Sequence, residues 1–120
     1  MFQDRLIDAV LHLELDRPAR LNALTLAGAE ALLARVQAAL AEDAVRALLF
    51  TGAGRAFCAG KDRDDPPTAR FVDVLRALGT ALLRYKLHSG SPPWRKVSWL
   101  RSKRRPSAML FGLGSVYSLP

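Results

Sequence analysis

The order of strand-like and helix-like segments in the N-terminal half constrains the fold of this chain most strongly. From Asp8 to Asp16 apolar and polar residues alternate with a period of two, which is typical of a half-buried β-strand. Residues 26–40 carry apolar side chains near helical spacing after Thr25, whose hydroxyl is a suitable N-cap. Residues 44–51 form a short, mostly apolar run that predicts a buried strand. Strand, helix and strand in this order predict a βαβ unit with a parallel pair of strands.

A second helix is predicted after a glycine turn and a polar loop. Residues 52–55 form the turn, and residues 61–67 form the loop. From Thr68 or Ala69 to His88, apolar residues again recur on one side of a helical repeat. The chain is therefore predicted to be of the α/β class, with helices packed on a mostly parallel sheet.

Length, hydropathy and cysteine content narrow the class of protein. The 120 residues suffice for one domain, and no apolar run reaches the ~20 residues that a membrane-spanning helix needs. The N-terminus carries Asp4 and lacks the long apolar stretch of a signal peptide, so a cytoplasmic location is expected. A single cysteine, Cys58, excludes a disulfide and a thiolate metal cluster within one chain, and no metal site is predicted.

The net charge of +7 comes from one end of the chain. Residues 1–85 hold eleven basic and eleven acidic side chains, whereas residues 86–120 hold seven basic side chains and no acid. This asymmetry favours an acidic partner such as nucleic acid, an anionic membrane surface or a phosphorylated ligand. A different origin of the two parts of the chain would explain it equally well.

Two segments resemble the enoyl-CoA hydratase/isomerase (crotonase) family. The first, residues 15–24, reads LDRPARLNAL and matches the family's strand, Arg-Pro, basic residue and Asn-Ala-Leu. The second, residues 48–62, reads LLFTGAGRAFCAGKD and matches its strand, glycine turn and Ala-Gly-x-Asp loop. The amphipathic helix between them also fits, and the likeness continues to about residue 88. The resemblance implies the N-terminal part of a crotonase-like ββα spiral, with an incomplete C-terminal half.

The resemblance also implies a binding site for an acyl-CoA thioester. The family contacts its substrate through positions that correspond here to Arg20, Ala23 and Leu24 and through a loop that contains Ala59, Gly60, Lys61 and Asp62. The amide of Ala59 is implied to be one of two donors that stabilise an enolate oxygen, each donor of this kind being worth ~3–4 kcal/mol. Asp62 is expected to hold the loop by accepting backbone amides, and Lys61 is expected to face solvent. No cofactor is implied apart from the coenzyme A of the substrate.

Three other reactive residues have simpler structural interpretations. Cys58 is expected to be a small packed side chain rather than a nucleophile, because nothing marks a histidine as its partner. His12 is expected on the outward side of its strand and His88 at the end of a helix. Neither histidine is therefore expected to be catalytic.

The resemblance fails beyond residue 88. Where the family has a hydrophobic strand and a glycine turn with the second oxyanion donor, residues 94–106 contain neither glycine nor acid. Residues 108–111 and 116–117 faintly resemble the helix and strand that come next. The chain is therefore divided into residues 1–88, the N-terminal part of a crotonase-like acyl-CoA-binding domain, and residues 89–120, an atypical basic tail. A compensated reading-frame shift and a genuine anion-binding tail are the two explanations.

The sequence favours an enoyl-CoA hydratase/isomerase-type protein that binds an acyl-CoA and stabilises its enolate. Hydration of a 2-enoyl-CoA and double-bond isomerisation are the leading reactions, although no acidic residue follows Asp73 to serve as a general acid or base. The alternative is a non-catalytic remnant or binding module whose basic tail contacts an anionic partner, with nucleic acid less favoured. The resemblance implies a trimeric or hexameric homo-oligomer, and no membrane span is predicted.

Overall fold

The structure of the chain, a computed structural model, describes residues 1–66, 68–87, 108–112 and 115–119. In chain order the elements are β1 (Phe2–Ile7), β2 (Val10–Leu15), α1 (Leu26–Leu40), β3 (Ala47–Gly52), α2 (Ala69–Leu87), β4 (Ala108–Gly112) and β5 (Ser115–Leu119). The predicted strand, helix and strand and the second helix are confirmed. Their ends differ from the predicted ones by a few residues, as is usual for patterns read from sequence.

The strands lie in one mixed sheet in the order β1-β2-β3-β4-β5. β2 and β3 run parallel, with Val10 opposite Ala47 and Leu15 opposite Gly52, as the βαβ prediction requires. The other described pairs, β1 with β2, β3 with β4 and β4 with β5, are antiparallel. The α/β class is confirmed, while the sheet is mixed rather than mostly parallel.

The additional strand β1 joins the sheet through a two-residue hairpin. Asp8 and Ala9 connect it to β2 and have φ angles of 51° and 64°. Two consecutive positive φ angles are the mark of a type I′ turn, whose twist suits a hairpin. Most of β1 is exposed, so it lacks the alternating burial that would have marked it as a strand in the sequence.

The N-terminus of α1 is capped as the sequence predicts, and the helix packs on the β2–β3 pair. The Thr25 hydroxyl accepts a hydrogen bond from the backbone N–H of Gly28 at 3.0 Å. Val36 of α1 is buried in the same hydrophobic cluster as Leu11 of β2 and Leu48 of β3. Burial of each such side chain contributes about 1.5–3 kcal/mol. This cluster fixes α1 against the two parallel strands.

The second helix α2 packs against α1 and extends the core. Leu78 and Ala81 join the cluster beneath α1, while Phe71 and Val74 pack with Ala29 in a second cluster. Within the described ranges, no helix combines the length and the apolar character that crossing a membrane requires.

The environment of His12 differs from the predicted one. Its side chain is buried, and its Nε2 lies 2.7 Å from the hydroxyl oxygen of Thr51 on β3. The outward position predicted from the alternating pattern was wrong, because this face of the sheet is covered: Val10 on β2 and Leu49 on β3, which share it with His12, are also buried. A period of two shows that residues alternate between two faces, but it does not show that one of them meets water.

In the C-terminal part of the chain, a strand is found where a helix was expected. Residues 108–111, which resembled a helix, belong to strand β4, and residues 116–117 belong to strand β5 as their likeness to a strand suggested. Residues 88–107 lie outside the described residues. The predicted boundary between residues 88 and 89, and the segment expected at the position of the second oxyanion donor, therefore remain predictions.

Candidate functional site

Two loops leave the same edge of the sheet and form the candidate site. Because β2 and β3 are parallel and Leu15 is opposite Gly52, their carboxyl ends lie side by side. Residues 16–25 follow β2 and are called here the Arg-Pro loop, which contains the short 3-10 helix Pro18–Arg20. Residues 53–66 follow β3 and are called the glycine loop. Ligand sites of α/β proteins commonly lie at this end of parallel strands.

The two loops are joined by backbone hydrogen bonds. The N–H of Leu24 donates to the carbonyl of Gly60 at 2.7 Å, and the N–H of Asp62 donates to the carbonyl of Leu24 at 2.8 Å. The N–H of Ala59 donates to the carbonyl of Leu21 at 3.0 Å. Gly60 has a φ of 100°, which side-chain-bearing residues rarely adopt, so glycine is needed for its carbonyl to face Leu24.

This pairing decides which amides of the glycine loop face the other loop. Leu24 and Lys61 form a parallel bridge in which both backbone groups of Leu24 point toward the glycine loop. In such a bridge the N–H and C=O of the opposite residue, here Lys61, point away. The amide of Ala59, the predicted oxyanion donor, is therefore engaged with Leu21, whereas the amide of Lys61 faces the opposite side.

Asn22 ties both loops to the end of β3 through its side chain. Its Oδ1 accepts from the N–H of Arg17 at 2.8 Å, and its Nδ2 donates to the carbonyls of Ala53 at 2.9 Å and Ala56 at 2.7 Å. The residue is fully buried and has a φ of 57°, a left-handed conformation that asparagine tolerates better than most residues. The sequence analysis included Asn22 in the matched motif without assigning it a role.

The glycine loop turns back over the end of β3 with little space. A Cβ atom on Gly52 would lie 2.3 Å from the carbonyl oxygen of Ala56 and 2.5 Å from that of Phe57. Both obstacles are backbone atoms, so a side chain at residue 52 would push the turn away. The absence of a side chain at Gly52 thus brings the Ala56 carbonyl within reach of Asn22.

Asp62 is the centre of a network of charged side chains between the loops. Its carboxylate accepts from Nη2 of Arg17 and from Nη2 of Arg20, both at 3.0 Å, and from the N–H of Asp64 at 2.9 Å. The Asp62 side chain is 4% exposed. The hydrogen bond from Asp64, followed by those from Arg20 and Arg17, lowers the pKa of Asp62 from 3.8 to about 2. The predicted role of Asp62 in accepting a backbone amide is confirmed.

Arg17 is a second site residue that the sequence analysis placed in a motif but did not select. Its Nη1 donates to the carbonyl of Ala23 at 3.0 Å while its Nη2 contacts Asp62. One guanidinium thus links the backbone of the Arg-Pro loop to the carboxylate of the glycine loop. Its position directly before Pro18, at the end of a predicted strand, was the available signal.

Lys61 does not simply face solvent, as its sequence position suggested. Its ammonium donates to the carbonyls of Asp62, at 3.1 Å, and Asp65, and lies 5.5 Å from the centre of the Phe71 ring. Asp65 in turn accepts from the N–H of Leu26 at 2.8 Å, in the first turn of α1. Lys61 therefore joins two carbonyls of the glycine loop and contacts α2 through Phe71, while Asp65 links the same loop to α1; the expected exposure of Lys61 is corrected.

Both loops border an open cleft of about 430 Å³. Its lining includes five predicted site residues and four neighbours: Arg20, Ala23, Ala59, Lys61 and Asp62, with Ala19, Leu21, Arg63 and Asp64. The predicted residues Leu24 and Gly60 support this surface through their backbone pairing. Three basic and two acidic side chains line the cleft, which suits a ligand that carries negative charge.

Two other kinds of site, a metal site and a cysteine nucleophile, have little support around this cleft. In the part of the chain that the structure describes, no group of three histidine, cysteine or acidic side chains is placed to hold a metal ion. Cys58 is half-buried, and its sulfur accepts from the N–H of Gly60 at 3.4 Å. The arrangement offers backbone amides and guanidinium groups, which bind anionic oxygen atoms.

The βαβ unit with two joined loops at its strand ends defines an α/β protein with a candidate ligand cleft at the carboxyl edge of its parallel strands. A family profile described as Enoyl-CoA hydratase/isomerase matches residues 10–65, which contain both loops up to Asp65. Over this segment, just under half of the chain, the sequence is therefore similar to the enoyl-CoA hydratase/isomerase, or crotonase, family. The predicted resemblance is confirmed over the N-terminal part of the chain.

Curated proteins with similar sequences agree with this assignment. The 1,2-epoxyphenylacetyl-CoA isomerase of Escherichia coli K12 is 43% identical over 56 residues, which are 47% of this chain and 21% of that protein. A Mycobacterium bovis protein described as a "probable enoyl-CoA hydratase" is 46% identical over 76 residues, which are 62% of this chain and 31% of that protein. The chain thus spans less than a third of the length of either relative.

Solved structures show the same fold. An enoyl-CoA hydratase/isomerase from Mycobacterium paratuberculosis superposes with a TM-score of 0.61 at 26% identity, over 72% of this chain and 38% of that one. An enoyl-CoA hydratase/isomerase from Pseudoalteromonas atlantica superposes with a TM-score of 0.59 at 30% identity, over 68% of this chain and 34% of that one. The predicted crotonase-like fold is confirmed for the matched part.

The donor role of Asn22 generates the first prediction. Asn22→Asp retains the acceptor and tolerates the same backbone conformation, but a carboxylate cannot donate to the carbonyls of Ala53 and Ala56. We expect the free energy of unfolding to fall by about 3 kcal/mol or more, because buried polar groups lose their partners. Urea denaturation measures this change.

Gln37→Glu, the same chemical change on the exposed side of α1, should alter stability by no more than about 0.5 kcal/mol. Equal effects of both variants would contradict the role of Asn22.

The lowered pKa of Asp62 generates a second prediction. Since the carboxyl titrates near 3.8 when unfolded and near 2 when folded, its stabilisation is present above pH 4 and is lost as the pH falls toward 2. The difference in unfolding free energy between the wild type and Asp62→Asn should therefore shrink over that range. Urea denaturation from about pH 6 to pH 2 measures it. Asp43→Asn, in the exposed turn before β3, is the control. A difference that stays constant down to pH 2 would contradict the role of Asp62.

Proposed function

We propose that the cleft binds the phosphate and pantetheine groups of an acyl-CoA thioester and that the glycine loop stabilises the enolate formed from it. One observation carries this proposal: Arg20, Ala59 and Lys61 line a single cleft built from the two loops that match the family profile. The cleft volume lies within the range of small-molecule sites, ~300–1,000 Å³. The names of both curated relatives also refer to CoA thioesters.

Arg20 is proposed to contact a phosphate of the CoA nucleotide. Its side chain is 46% exposed at the cleft, and within the described residues its ionic contacts with Asp62 and Asp64 both use Nη2. Nε and Nη1 have no ionic contact within the described residues, and a planar two-point contact with phosphate pairs one of them with Nη2, where the phosphate would meet Asp64. The nearby backbone of Ala23 and Leu24 is proposed to border the nucleotide and pantetheine.

The amide of Lys61 is proposed to donate to the enolate oxygen without rearrangement. It points away from the Arg-Pro loop, and Lys61 lines the cleft. The amide of Ala59, which the family resemblance implies, already donates to Leu21 and would have to release or share that bond. A backbone donor aimed at a developing oxyanion contributes about 3–4 kcal/mol to transition-state stabilisation. Ala59 therefore remains the alternative donor.

The proposed reaction class is hydration of a 2-enoyl-CoA or isomerisation of its double bond. This chain supplies the binding cleft and one oxyanion donor, whereas no acidic residue after Asp73 is present to transfer a proton. Binding and charge stabilisation are therefore proposed for this chain, and turnover is tested by a hydratase assay beside a full-length relative. Homo-oligomerisation and the lack of any cofactor other than coenzyme A remain predictions.

A second candidate is a non-catalytic module that binds an anionic partner through its C-terminal tail. One observation favours it: residues 86–120 carry seven basic side chains and no acid. Such binding would depend on the charge of the tail and not on the cleft. Substitution of Arg20 separates the two candidates, because it removes a charge from the cleft and leaves the tail intact.

Ligand binding to the 120-residue chain tests the proposed function. Crotonyl-CoA at about a hundred times its dissociation constant should stabilise the folded protein by about 2.7 kcal/mol, measured as a shift in thermal unfolding. Arg20→Ala should weaken binding by about tenfold or more, since it removes charged hydrogen bonds to phosphate. Arg46→Ala, an exposed arginine in the turn before β3, should leave binding within about twofold of the wild type.

Two results would contradict the proposal. The absence of any thermal shift at millimolar crotonyl-CoA would exclude acyl-CoA binding by this chain. Equal binding by Arg20→Ala and Arg46→Ala would instead place the ligand on another surface, and the basic tail would become the first candidate.

A further inference from the structure

We propose that Asp64 is an internal competitor for Arg20, which the phosphate of the ligand must displace. This inference rests on the proposed function and concerns what limits affinity at the same cleft. Its basis is a difference between the two carboxylates that contact Arg20. One of them is built into the loop structure, whereas the other is attached to it by a single exposed contact.

Asp62 is fixed by its surroundings and cannot leave Arg20 easily. Its side chain is 4% exposed and accepts hydrogen bonds from Arg17, from Arg20 and from the N–H of Asp64. Removing it from this environment would take this acceptor from the half-buried Arg17 guanidinium and from the N–H of Asp64. The Asp62–Arg20 ion pair is therefore expected to stay intact when a ligand binds in the cleft.

Asp64 is held far less firmly. Its side chain is 76% exposed, and the contact that the structure shows for its carboxylate is the one with Nη2 of Arg20. Exposed ion pairs of this kind contribute little to stability, because water screens them and side-chain entropy opposes them. An incoming phosphate can exchange with this carboxylate at small cost.

The position of Asp64 nevertheless affects the ligand. Asp64 lines the same cleft as Arg20 and Lys61, so its negative charge neutralises part of the positive charge that a phosphate would meet. When the phosphate contacts Arg20, the Asp64 carboxylate must turn toward solvent, or two anions would lie together. Asp64 thus lowers affinity for phosphate-bearing ligands specifically, and it does not affect groups that carry no charge.

The inference predicts opposite effects at two neighbouring acids. Asp64→Asn should bind coenzyme A about twofold to fivefold more tightly than the wild type, matching the weak strength of an exposed pair. Asp62→Asn should bind it more weakly, because the loops lose their shared anion. Isothermal titration of the full chain at low salt measures both effects. Asp43→Asn, which makes the same charge change in the exposed turn before β3, should alter affinity less than Asp64→Asn does.

Two further ligands identify the source of the gain. Inorganic pyrophosphate should show the same gain with Asp64→Asn if the diphosphate contacts Arg20, whereas a gain seen with coenzyme A alone would assign the contact to the phosphate on the ribose. Pantetheine, which has no phosphate, should bind equally to both proteins. Asp64→Ser repeats the measurement with a shorter side chain, and unfolding midpoints establish that each variant is folded.

The outcomes separate this inference from the proposed function. Wild-type binding of coenzyme A with no gain in Asp64→Asn and Asp64→Ser would overturn the inference alone. A gain that is equally large for pantetheine, or for Asp43→Asn, would also overturn it, because the effect would not arise from competition with phosphate at Arg20. Failure of every variant to bind coenzyme A would overturn the inference together with the proposed function.

Discussion

The buried side chain of Asn22 holds together the two loops on which the site depends. β2 and β3 bring these loops to one edge of the sheet, but the parallel strands alone do not set the distance between the loops. The Asn22 amide uses one acceptor and two donors to join the start of the Arg-Pro loop to the turn after β3. Because the amide is buried, the loss of one hydrogen-bond partner would lower the free energy of unfolding by about 1–3 kcal/mol. The turn and the backbone pairing between the loops both depend on this connection.

Ion pairs form a second connection between the two loops. These ion pairs differ in strength because their carboxylates differ in burial. Asp62 accepts from the N–H of Asp64 and lies between Arg20 and Arg17, so it belongs to the structure of the loops, and these contacts lower its pKa. Asp64 contacts the same arginine from the solvent side. Arg20 therefore has one fixed partner, the buried Asp62, and one exchangeable partner, the exposed Asp64. Under the proposed function, this contact with Asp62 orients Arg20 before the ligand arrives, which reduces the cost of binding phosphate.

Local patterns predicted the elements of the fold better than they predicted the contacts within the site. The helices and the βαβ order follow from periodicity, a cap and glycine positions that are visible within a few residues. β1 was missed because it is mostly exposed and its hairpin uses Asp8 and Ala9, without the glycine that usually marks a type I′ turn. The burial of His12 depends on whether its face of the sheet is covered, as the burial of Leu49 on β3 shows it to be, and this information is not local to β2.

The site residues show the same limit. The family motifs contained both loops, and five of the seven selected residues line the cleft. Asn22 and Arg17 gain their roles through partners 31 to 45 positions away in sequence, so no local pattern could assign those roles. The engagement of the Ala59 amide likewise depends on the left-handed turn at Leu21 and Asn22, which directs the Leu21 carbonyl toward the glycine loop.

Native-state hydrogen exchange tests most directly whether the two loops form one structural unit. The amides of Leu24, Ala59 and Asp62 donate across the loops, so they should exchange slowly and with the same opening free energy. The amide of Lys61, which points away from this pairing, should exchange much faster. Slow exchange at the three joined amides with fast exchange at Lys61 is the predicted result. Fast exchange at Ala59 while Leu24 and Asp62 stay protected would contradict the account, because the predicted oxyanion amide would then be free of the Arg-Pro loop.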